Sequence, residues 1–572
     1  MRKSNYITGC VTGMIALFAT NVWAQETQTQ TQTQAQTQAQ STTTDSIDVV
    51  RDYRPMLADA VKIRRSPDMT NKREYQPKLR YQIIDKKLGI TTGTKQLTIQ
   101  EMMFEGIEDR RDNYVKIGVG NYGTLLGELY LSNDDYVDTR FGGFVKHLNQ
   151  KGNLNQQKFS QQEIGVFGRQ LYEPFTISGE LGYRRNGTYF FGNPIDTSGI
   201  AFNPDPARQV FNDVYLTAEL ASNKGHEEDA LSYSIKADGY LYNNSFEAKE
   251  NSLALSGFVN KAIKHFNVGA HISTDFTTVS DLAYKNGNHI TRIEPYIRFQ
   301  GAQYNVTLGA RFLAEFGDSS RVNIFPSVSA EFALIPDYAY IFGGVDGDVK
   351  KTSFRSLTRE NPWLKQNIAI QNSLERMNVY GGIKGNVGVT FGYKLKAYYK
   401  RVENLPFFMN DPLAPHLFDV IYESGTKESN IVGLEGELNV RVSETVALGG
   451  TLQLNEYNLQ TFDQAWYLPK LRMTANTRIN ISDKLYLNGE LLVHGISYTQ
   501  LPASFDAVST IGPNLKASIP AFADLSAGLE YRATKQLGIY IRGNNLLGKS
   551  YERFAYYPRL GFNVIGGVNF SF

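Results

Sequence analysis

From about residue 113 to residue 572 the chain repeats one pattern, in which segments of about ten to fifteen residues alternate apolar and polar positions. Gly, Asn, Asp and Pro separate these segments. Alternation with a period of two is typical of a β-strand with two different faces. In residues 521–531 one face carries Ala521, Ala523, Leu525, Ala527, Leu529 and Tyr531. The other face carries Phe522, Asp524, Ser526, Gly528 and Glu530. The pattern predicts an all-β protein of about 22 strands, although 20 or 24 would also fit its length.

The length of the segments and the charges within them indicate where the strands lie. Strands of soluble sandwiches average about five or six residues, whereas these are about twice as long, as a tilted crossing of ~25–30 Å of hydrocarbon requires. Arg311, Glu315, Arg472 and Arg478 lie in the middle of polar faces, where they need water or each other. In lipid the sheet must close, because an open edge would leave backbone groups unpaired. We therefore predict an antiparallel transmembrane β-barrel over residues 113–572, surrounded by outer-membrane lipid in a Gram-negative bacterium.

Composition and charge exclude several classes of protein. With 41% hydrophobic and 20% charged residues, and no apolar run of helix-spanning length after the N-terminus, the chain is not a helical membrane bundle. It is too apolar and too aromatic to be disordered. Without the first 24 residues it has 57 Lys and Arg against 57 Asp and Glu. A net charge of zero gives no general attraction to nucleic acid.

The N-terminus predicts an exported protein. Residues 1–24 have the pattern of a secretory signal, in which Arg2 and Lys3 precede an apolar stretch and a small-residue cleavage site. Cys10 is the single cysteine and lies within this signal, so the mature chain has no thiol chemistry. Residues 25–45 repeat Gln, Thr and Ala without a large apolar residue, which predicts a disordered tether.

Residues 46–112 are predicted to form a short basic N-terminal segment in the periplasm or in the barrel lumen. Residues 46–100 hold twelve basic and six acidic residues, whereas residues 101–572 hold 45 basic and 49 acidic ones. The segment either docks onto the barrel or an acidic partner, or is an ordinary basic surface. The lumen of so large a barrel must be filled, by this segment or by another protein. If the segment fills it, deleting residues 46–100 is expected to raise the single-channel conductance.

Several short motifs resemble those of TonB-dependent receptors, in the order in which that family carries them. Residues 361–364 read Asn-Pro-Trp-Leu and residues 433–437 read Gly-Leu-Glu-Gly-Glu. Residues 545–552 read Asn-Leu-Leu-Gly-Lys-Ser-Tyr-Glu, and residues 557–559 read Tyr-Pro-Arg before a last amphipathic strand. The resemblance implies an outer-membrane barrel that binds a solute and transports it across the outer membrane.

The chain departs from that family before the barrel. Family members carry a plug domain of well over a hundred residues, whose glycine-rich signatures are absent from this sequence. The alternative is therefore a plugless, non-transporting barrel that serves as a subunit of an outer-membrane assembly or secretion machine. A lone barrel with substrate-dependent uptake would support transport, and stoichiometric partners would support the subunit.

Two segments are predicted to bind partners. Residues 45–50 resemble the box through which these receptors add a strand to an energy-coupling protein, with Ile47, Val49 and Val50 as the contacting residues. The last strand resembles the signal that barrel assembly machinery reads. Its lipid-facing positions are Phe562, Val564, Val568, Phe570 and Phe572.

No catalytic, cofactor or metal site is predicted, and we expect no enzyme. Residues 118–123 satisfy G-x-G-x-x-G, but another alternating segment follows them where a nucleotide site needs a helix, so residues 121–123 are predicted to be a hairpin turn. Residues 346–348 (Asp-Gly-Asp) are predicted to be turn residues in a loop rather than calcium ligands. The seven histidines show no zinc spacing, and no G-x-S-x-G is present.

Two further features are predicted from their position between strands. Residues 417–423 are predicted to be loop. The aromatic pairs at residues 398–399, 407–408 and 556–557 are predicted to lie in interfacial girdles at strand ends, with a ligand-stacking surface as the alternative.

Overall fold

A computed structural model describes most of the chain after residue 112. The described residues are 113–133, 138–192, 206–223, 231–263, 266–318, 320–336, 338–388, 390–423, 428–502 and 514–572. The predicted signal, tether and basic segment, together with Ile47, Val49 and Val50, lie outside these residues, so their assignments remain predictions.

The described residues form 26 strands and one short helix. The first strands are β1 (Tyr114–Gly120), β2 (Thr124–Ser132), β3 (Thr139–Lys151), β4 (Lys158–Leu171), β5 (Phe175–Tyr189), β6 (Arg208–Ser222), β7 (Leu231–Asn244), β8 (Lys249–Ile263), β9 (Phe266–Asp281), β10 (Tyr284–Gln300), β11 (Tyr304–Gly317), β12 (Arg321–Ile335) and β13 (Ala339–Lys350). Then follow helix α1 (Phe354–Glu360) and strands β14 (Ser373–Val387), β15 (Phe391–Glu403), β16 (Pro406–Asn410), β17 (Phe418–Tyr422), β18 (Ser429–Ser443), β19 (Val446–Asn458), β20 (Leu471–Ser482), β21 (Leu485–His494), β22 (Ser497–Pro502), β23 (Asn514–Ile519), β24 (Phe522–Arg532), β25 (Leu537–Asn544) and β26 (Asn563–Ser571).

Twenty-two of the strands form one closed antiparallel sheet. Each pairs with the next barrel strand along the chain, and β1 pairs with β26, from Tyr114 opposite Ser571 to Gly120 opposite Ile565. This last pairing leaves the sheet without a free edge, as a barrel in lipid requires. The barrel and its predicted strand number are confirmed. The other four strands form two separate hairpins, β16–β17 and β22–β23.

The two faces of the strands differ as the alternation predicts. On β8, Leu253, Leu255 and Val259 are exposed on the outer face, whereas Glu250 and Ser252 are buried on the inner face. Outward apolar side chains recur on the strands around the barrel, which gives it a lipid-facing surface and places the chain in the outer membrane.

Charged side chains of the barrel strands pair with each other on the inner face. Arg311 donates to Glu294 at 2.8 Å, and Arg321 donates to Glu315 at 2.7 Å. Paired charges satisfy the groups that burial would otherwise penalise. The predicted polar lumen is therefore present.

The two ends of the barrel differ in the length of their connections. At the end that holds Asn113 and Phe572, connections such as 444–445 and 483–484 are two residues long. At the other end the connections include 351–372, 404–428 and 495–521. In outer-membrane barrels the short turns face the periplasm and the long loops face outward. We number the outward connections loops 1 to 11 in chain order.

No helix in the described part of the chain is long and apolar enough to cross a membrane.

The structure confirms one turn and corrects two loop predictions. Residues 121–123 form the β1–β2 turn, with φ of 56° at Tyr122 and 55° at Gly123, the left-handed conformation of tight hairpins. Residues 417–423 were expected to be loop, but they hold β17, because β16 within the same connection supplies its partner strand.

The prediction of a loop at residues 346–348 is wrong. These residues lie within β13, at a shift of register against β14. A Cβ at Gly347 would meet the ring of Phe325 at 2.6 Å, so the glycine serves close packing rather than a turn. Asp348 accepts a hydrogen bond from Arg292 at 2.9 Å and Asp346 accepts one from Asn378 at 3.0 Å.

A pair of lysine substitutions on β8 tests the assignment of the two faces. Leu255 faces lipid, whereas Ala254 faces the lumen between Asp238 and Asp275 on the neighbouring strands. Leu255→Lys is expected to lower the free energy of unfolding by ~2–4 kcal/mol, because a cation near the middle of the bilayer loses its hydration. Ala254→Lys is the control and is expected to change it by about 0.5 kcal/mol or less. Urea unfolding in lipid vesicles measures both. Equal losses in the two variants would contradict the assignment.

Candidate functional site

The outward loops fold into a cap over the mouth of the barrel. Its members are the described parts of loop 3 (190–207), loop 7 (351–372), loop 8 (404–428), loop 9 (459–470), loop 10 (495–521) and loop 11 (545–562). The cap has an apolar core of its own. The buried residues that these six loops contribute to the core are Phe190, Phe191, Phe354, Leu357, Trp363, Leu364, Ile368, Phe407, Phe408, Phe418, Val420, Trp466, Tyr467, Ile519, Phe554, Ala555 and Tyr557. They pack on the inner wall against residues such as Phe211, Tyr242 and Val279.

Trp363 connects three sides of the barrel. Its ring stacks on Tyr557 with centroids 3.7 Å apart, and its Nε1 donates to the carbonyl of Tyr189 at 3.1 Å. Tyr189 ends β5, Trp363 follows β13 and Tyr557 follows β25, which are the 5th, 13th and 21st of the 22 barrel strands. These strands are about a third of the circumference apart, so the core of the cap reaches across the mouth.

Phe554 of loop 11 lies at the centre of the aromatic cluster. Its ring centroid is 5.6 Å from Phe408, 5.4 Å from Phe418 and 5.2 Å from Tyr467, and its side chain is 1% exposed. Edge-to-face and tilted contacts of this kind add to the stabilisation that burial supplies. Loops 8, 9 and 11 therefore share one core.

The prediction that the aromatic pairs form interfacial girdles is wrong for Phe407, Phe408 and Tyr557, which are buried in the cap. The reason is that β16 and loop 11 fold over the mouth instead of ending at the membrane surface. In the pair at residues 398–399, Tyr398 faces the lumen and Tyr399 lies on the outer surface of the barrel.

Several buried polar groups of the cap are paired. Asn410 donates to the carbonyl of Pro415 at 2.7 Å, while its side-chain oxygen accepts from Thr499 at 2.9 Å and from the hydroxyl of Tyr467. The hydroxyl of Tyr557 donates to the carbonyl of His416 at 2.6 Å. Satisfied polar groups in an apolar core are typical of a folded unit rather than of independent loops.

Most of the motifs that resembled a receptor family meet in this cap. The segment 361–364 supplies Trp363, and the segment 557–559 supplies Tyr557. Asn545 begins loop 11 and donates to the carbonyls of Lys549 at 2.8 Å and Leu560 at 3.0 Å, which closes the loop on itself. The sequence showed these motifs, but it did not indicate that they meet over the mouth of the barrel.

Helix α1 of loop 7 is attached to the inner wall by Glu250. This carboxylate is fully buried and accepts from the backbone N–H of Phe354 at 2.6 Å and of Arg355 at 3.3 Å. The hydroxyl of Tyr240 donates to it at 2.6 Å. An anion at the first turn accepts hydrogen bonds from free N–H groups of the helix. Its negative charge also interacts favourably with the positive N-terminal end of the helix dipole.

Asp213 on β6 is the second attachment. It is 2% exposed and accepts from Arg355 at 2.8 Å and from Arg359 at 2.5 Å, while Arg184 of the wall lies 4.0 Å away. We call Asp213, Glu250, Arg355 and Arg359 the latch. Sequence reasoning missed the latch, because its carboxylates and arginines are more than a hundred residues apart in the chain.

The structure places the predicted assembly signal on the outer face of the barrel. Phe562, Val568, Phe570 and Phe572 are exposed there and Val564 is half-buried. Recognition by assembly machinery remains a prediction. Within the described residues, no group of three or more His, Cys, Asp or Glu could hold a metal ion.

Solved structures with a similar fold include two receptors and a transporter. The pyoverdine outer membrane receptor FpvA of Pseudomonas aeruginosa, bound to pyoverdine, is 13% identical over 82% of this chain and 79% of its own, with a TM-score of 0.61. The siderophore receptor PirA of Acinetobacter baumannii is 11% identical over 82% of this chain and 81% of its own, with a TM-score of 0.60. The iron transporter FrpB of Neisseria meningitidis is 9% identical over 81% and 82%, also with a TM-score of 0.60.

No protein-family model matches the chain, and no curated protein matches it. At 9–13% identity, the likeness to the solved structures concerns the fold. That fold is the one that the receptor-like motifs implied. The chain is therefore an outer-membrane β-barrel with the fold of TonB-dependent receptors.

Proposed function

We propose that the protein is a transport barrel of the outer membrane, through which a solute passes only when the cap moves away from the mouth. The observation that carries this proposal is the latch. Loop 7 is joined to the wall by charged contacts between Asp213 and two arginines, which water or a charged solute can replace. The fold of solute receptors supports the same function, and we propose no catalytic role.

The basic segment 46–100 is proposed to enter the lumen from the periplasmic end. The inner wall from β4 to β9 supports this, because it carries many carboxylates. Those outside the latch are Glu163, Glu180, Glu219, Asp238 and Asp275. Ile47, Val49 and Val50 would then contact an energy-coupling protein in the periplasm, and the outer face would contact lipid and, during insertion, the assembly machinery.

Single-channel conductance tests this arrangement, provided that the cap and the segment are removed separately. The rise in conductance that the sequence predicts for deleting residues 46–100 is not expected from the deletion alone, because the cap keeps the mouth closed. Asp213→Asn alone opens the cap but leaves the segment in the lumen. Only the deletion combined with Asp213→Asn is expected to give a large, steady conductance. A large conductance of Asp213→Asn alone would contradict the proposal for the segment, and a low conductance of the combined variant would contradict the proposal that the cap and the segment are what block the lumen.

The second candidate function is a non-transporting subunit of an outer-membrane assembly or secretion machine. The mouth closed by the cap favours it, because a barrel that only binds partners needs no path for a solute. Extraction in mild detergent followed by pull-down of the full chain separates the two functions. Stoichiometric partners without solute uptake support the subunit, whereas a lone barrel with solute-dependent uptake supports the transporter.

A further inference from the structure

A row of side chains across four neighbouring strands of the inner wall, beneath loop 11, combines positive charge with aromatic rings. We call this row the rung. The strand register places Gln453 opposite Arg472, Arg472 opposite His494, and His494 opposite Phe522. These residues belong to four neighbouring strands, β19, β20, β21 and β24, and opposite residues in an antiparallel sheet have Cβ atoms ~5 Å apart. The rung therefore presents adjacent side chains to the lumen.

Loop 11 lies against this rung through a stack of rings. The ring of Tyr551 stacks on Phe522 with centroids 4.0 Å apart, and the ring of His494 stacks on Phe522 at 4.9 Å. The hydroxyl of Tyr551 donates to Asp524 at 2.5 Å, and the backbone N–H of Arg559 donates to the carbonyl of Tyr551 at 2.8 Å. The stack brings the arginines of loop 11 next to the wall.

The guanidinium groups of Arg472, Arg553 and Arg559 consequently lie near one another. We call the place where they meet the corner. Arg553 is 4% exposed and donates to Glu360 at 2.7 Å. Burial lowers the pKa of Arg553 to about 10; the charge of Glu360 opposes this, and the charges of Arg472 and Arg559 lower it further. Arg472 makes no ion pair or hydrogen bond within the described residues. The arginine of the wall is thus available to a ligand.

His494 adds an unused acceptor to the corner. Its side chain is 1% exposed, and Nδ1 lies 3.0 Å from the carbonyl of Gly495, a contact in which that nitrogen is the donor. Its Nε2 is buried and has no hydrogen-bond partner in the described part of the chain. A buried acceptor of this kind is normally satisfied, so a group that donates to it completes the site.

We propose that the corner formed by Arg472, Arg553 and Arg559 binds a small oxyanion, either a phosphate or a carboxylate group. The planar fork of a guanidinium matches both groups, and charge-assisted hydrogen bonds to them are strong where water is partly excluded. A phosphate keeps a protonated oxygen near neutral pH, and this oxygen donates to Nε2 of His494; a carboxylate has no such proton and binds through the arginines alone. The site goes beyond the proposed transport, because binding at the corner requires no passage through the barrel.

Calorimetric titration of the full chain in detergent, with inorganic phosphate in one arm and acetate in the other, tests the site. Saturable binding of one anion per chain is expected in at least one arm, and the arms identify its class. Arg472→Gln is expected to weaken this binding at least ~10-fold, and Arg472→Lys less, because lysine keeps the charge without the fork.

The matched control is Arg478→Gln. Arg478 lies on the same strand and the same face, ~20 Å from Arg472 at about 3.3 Å per residue, so its loss should leave the affinity unchanged. Absence of saturable binding in both arms, or an equal loss in the control, would overturn the proposal. The thermal unfolding of each variant shows that the barrel is folded. Anion binding by a barrel that never conducts supports this site and counts against transport.

Discussion

Asp213→Asn is expected to release helix α1 from the wall and to lower the free energy of unfolding of the cap by ~3–5 kcal/mol. Asp213 is buried and is the common acceptor of Arg355 and Arg359. A neutral amide leaves these cations without their counter-charge, and breaking one partner of a buried charge network costs about this much. Denaturant unfolding, followed by protease cleavage of the loops, measures the loss.

The control for Asp213→Asn is Asp238→Asn on the next strand. Asp238 pairs with Lys236 at 3.2 Å, and both side chains are about a quarter exposed to solvent, so this substitution is expected to cost ~1 kcal/mol or less. A cap that keeps its protease resistance in Asp213→Asn would show that the apolar contacts alone hold it, and the latch would have no role.

Phe554→Ala is expected to unfold the cap while the barrel stays intact. Removing a fully buried phenylalanine costs ~3–5 kcal/mol, because the transfer energy of the ring and the cavity it leaves add together. Phe554 contacts loops 8 and 9 at once, so no single loop can close over the cavity. Trypsin is expected to cut the loops at Lys365 and Arg553, while the barrel keeps its heat-dependent migration on gels.

Leu413→Ala is the matched control for this substitution, since Leu413 lies in loop 8 and is 69% exposed. It is expected to change stability by about 0.5 kcal/mol or less. If Phe554→Ala resists trypsin as well as Leu413→Ala does, the aromatic cluster does not hold the cap together.

The barrel could be predicted from the sequence because the pattern that marks each strand lies within that strand. Each strand alternates on its own, as β8 does, and lipid then requires that the strands close. The charges at Arg311 and Glu315 showed which face was wet, although their partners, Glu294 and Arg321, could not be named from the sequence.

The cap could not be predicted, because its core has no period along the chain. Trp363 and Tyr557 stack although nearly two hundred residues separate them, and nothing next to either residue indicates the other. The paired aromatic residues of loops 8 and 11 were a sequence signal for the cap, but an interfacial girdle at the membrane surface explained these pairs equally well. The Asp-Gly-Asp at residues 346–348 was misinterpreted for a related reason: the ring of Phe325, on the preceding strand, leaves no room for a side chain at residue 347.

Labelling of single cysteines on intact cells tests most directly whether the cap closes the barrel. The predicted mature chain contains no cysteine, so Ala254→Cys in the lumen and Leu413→Cys on the outer surface each give one site. With a maleimide that cannot cross the membrane, the closed cap predicts rapid labelling of Leu413→Cys and none of Ala254→Cys, until Asp213→Asn and the deletion of residues 46–100 are both added to the latter. Equal labelling of the two sites in the otherwise unchanged protein would show that the mouth is open.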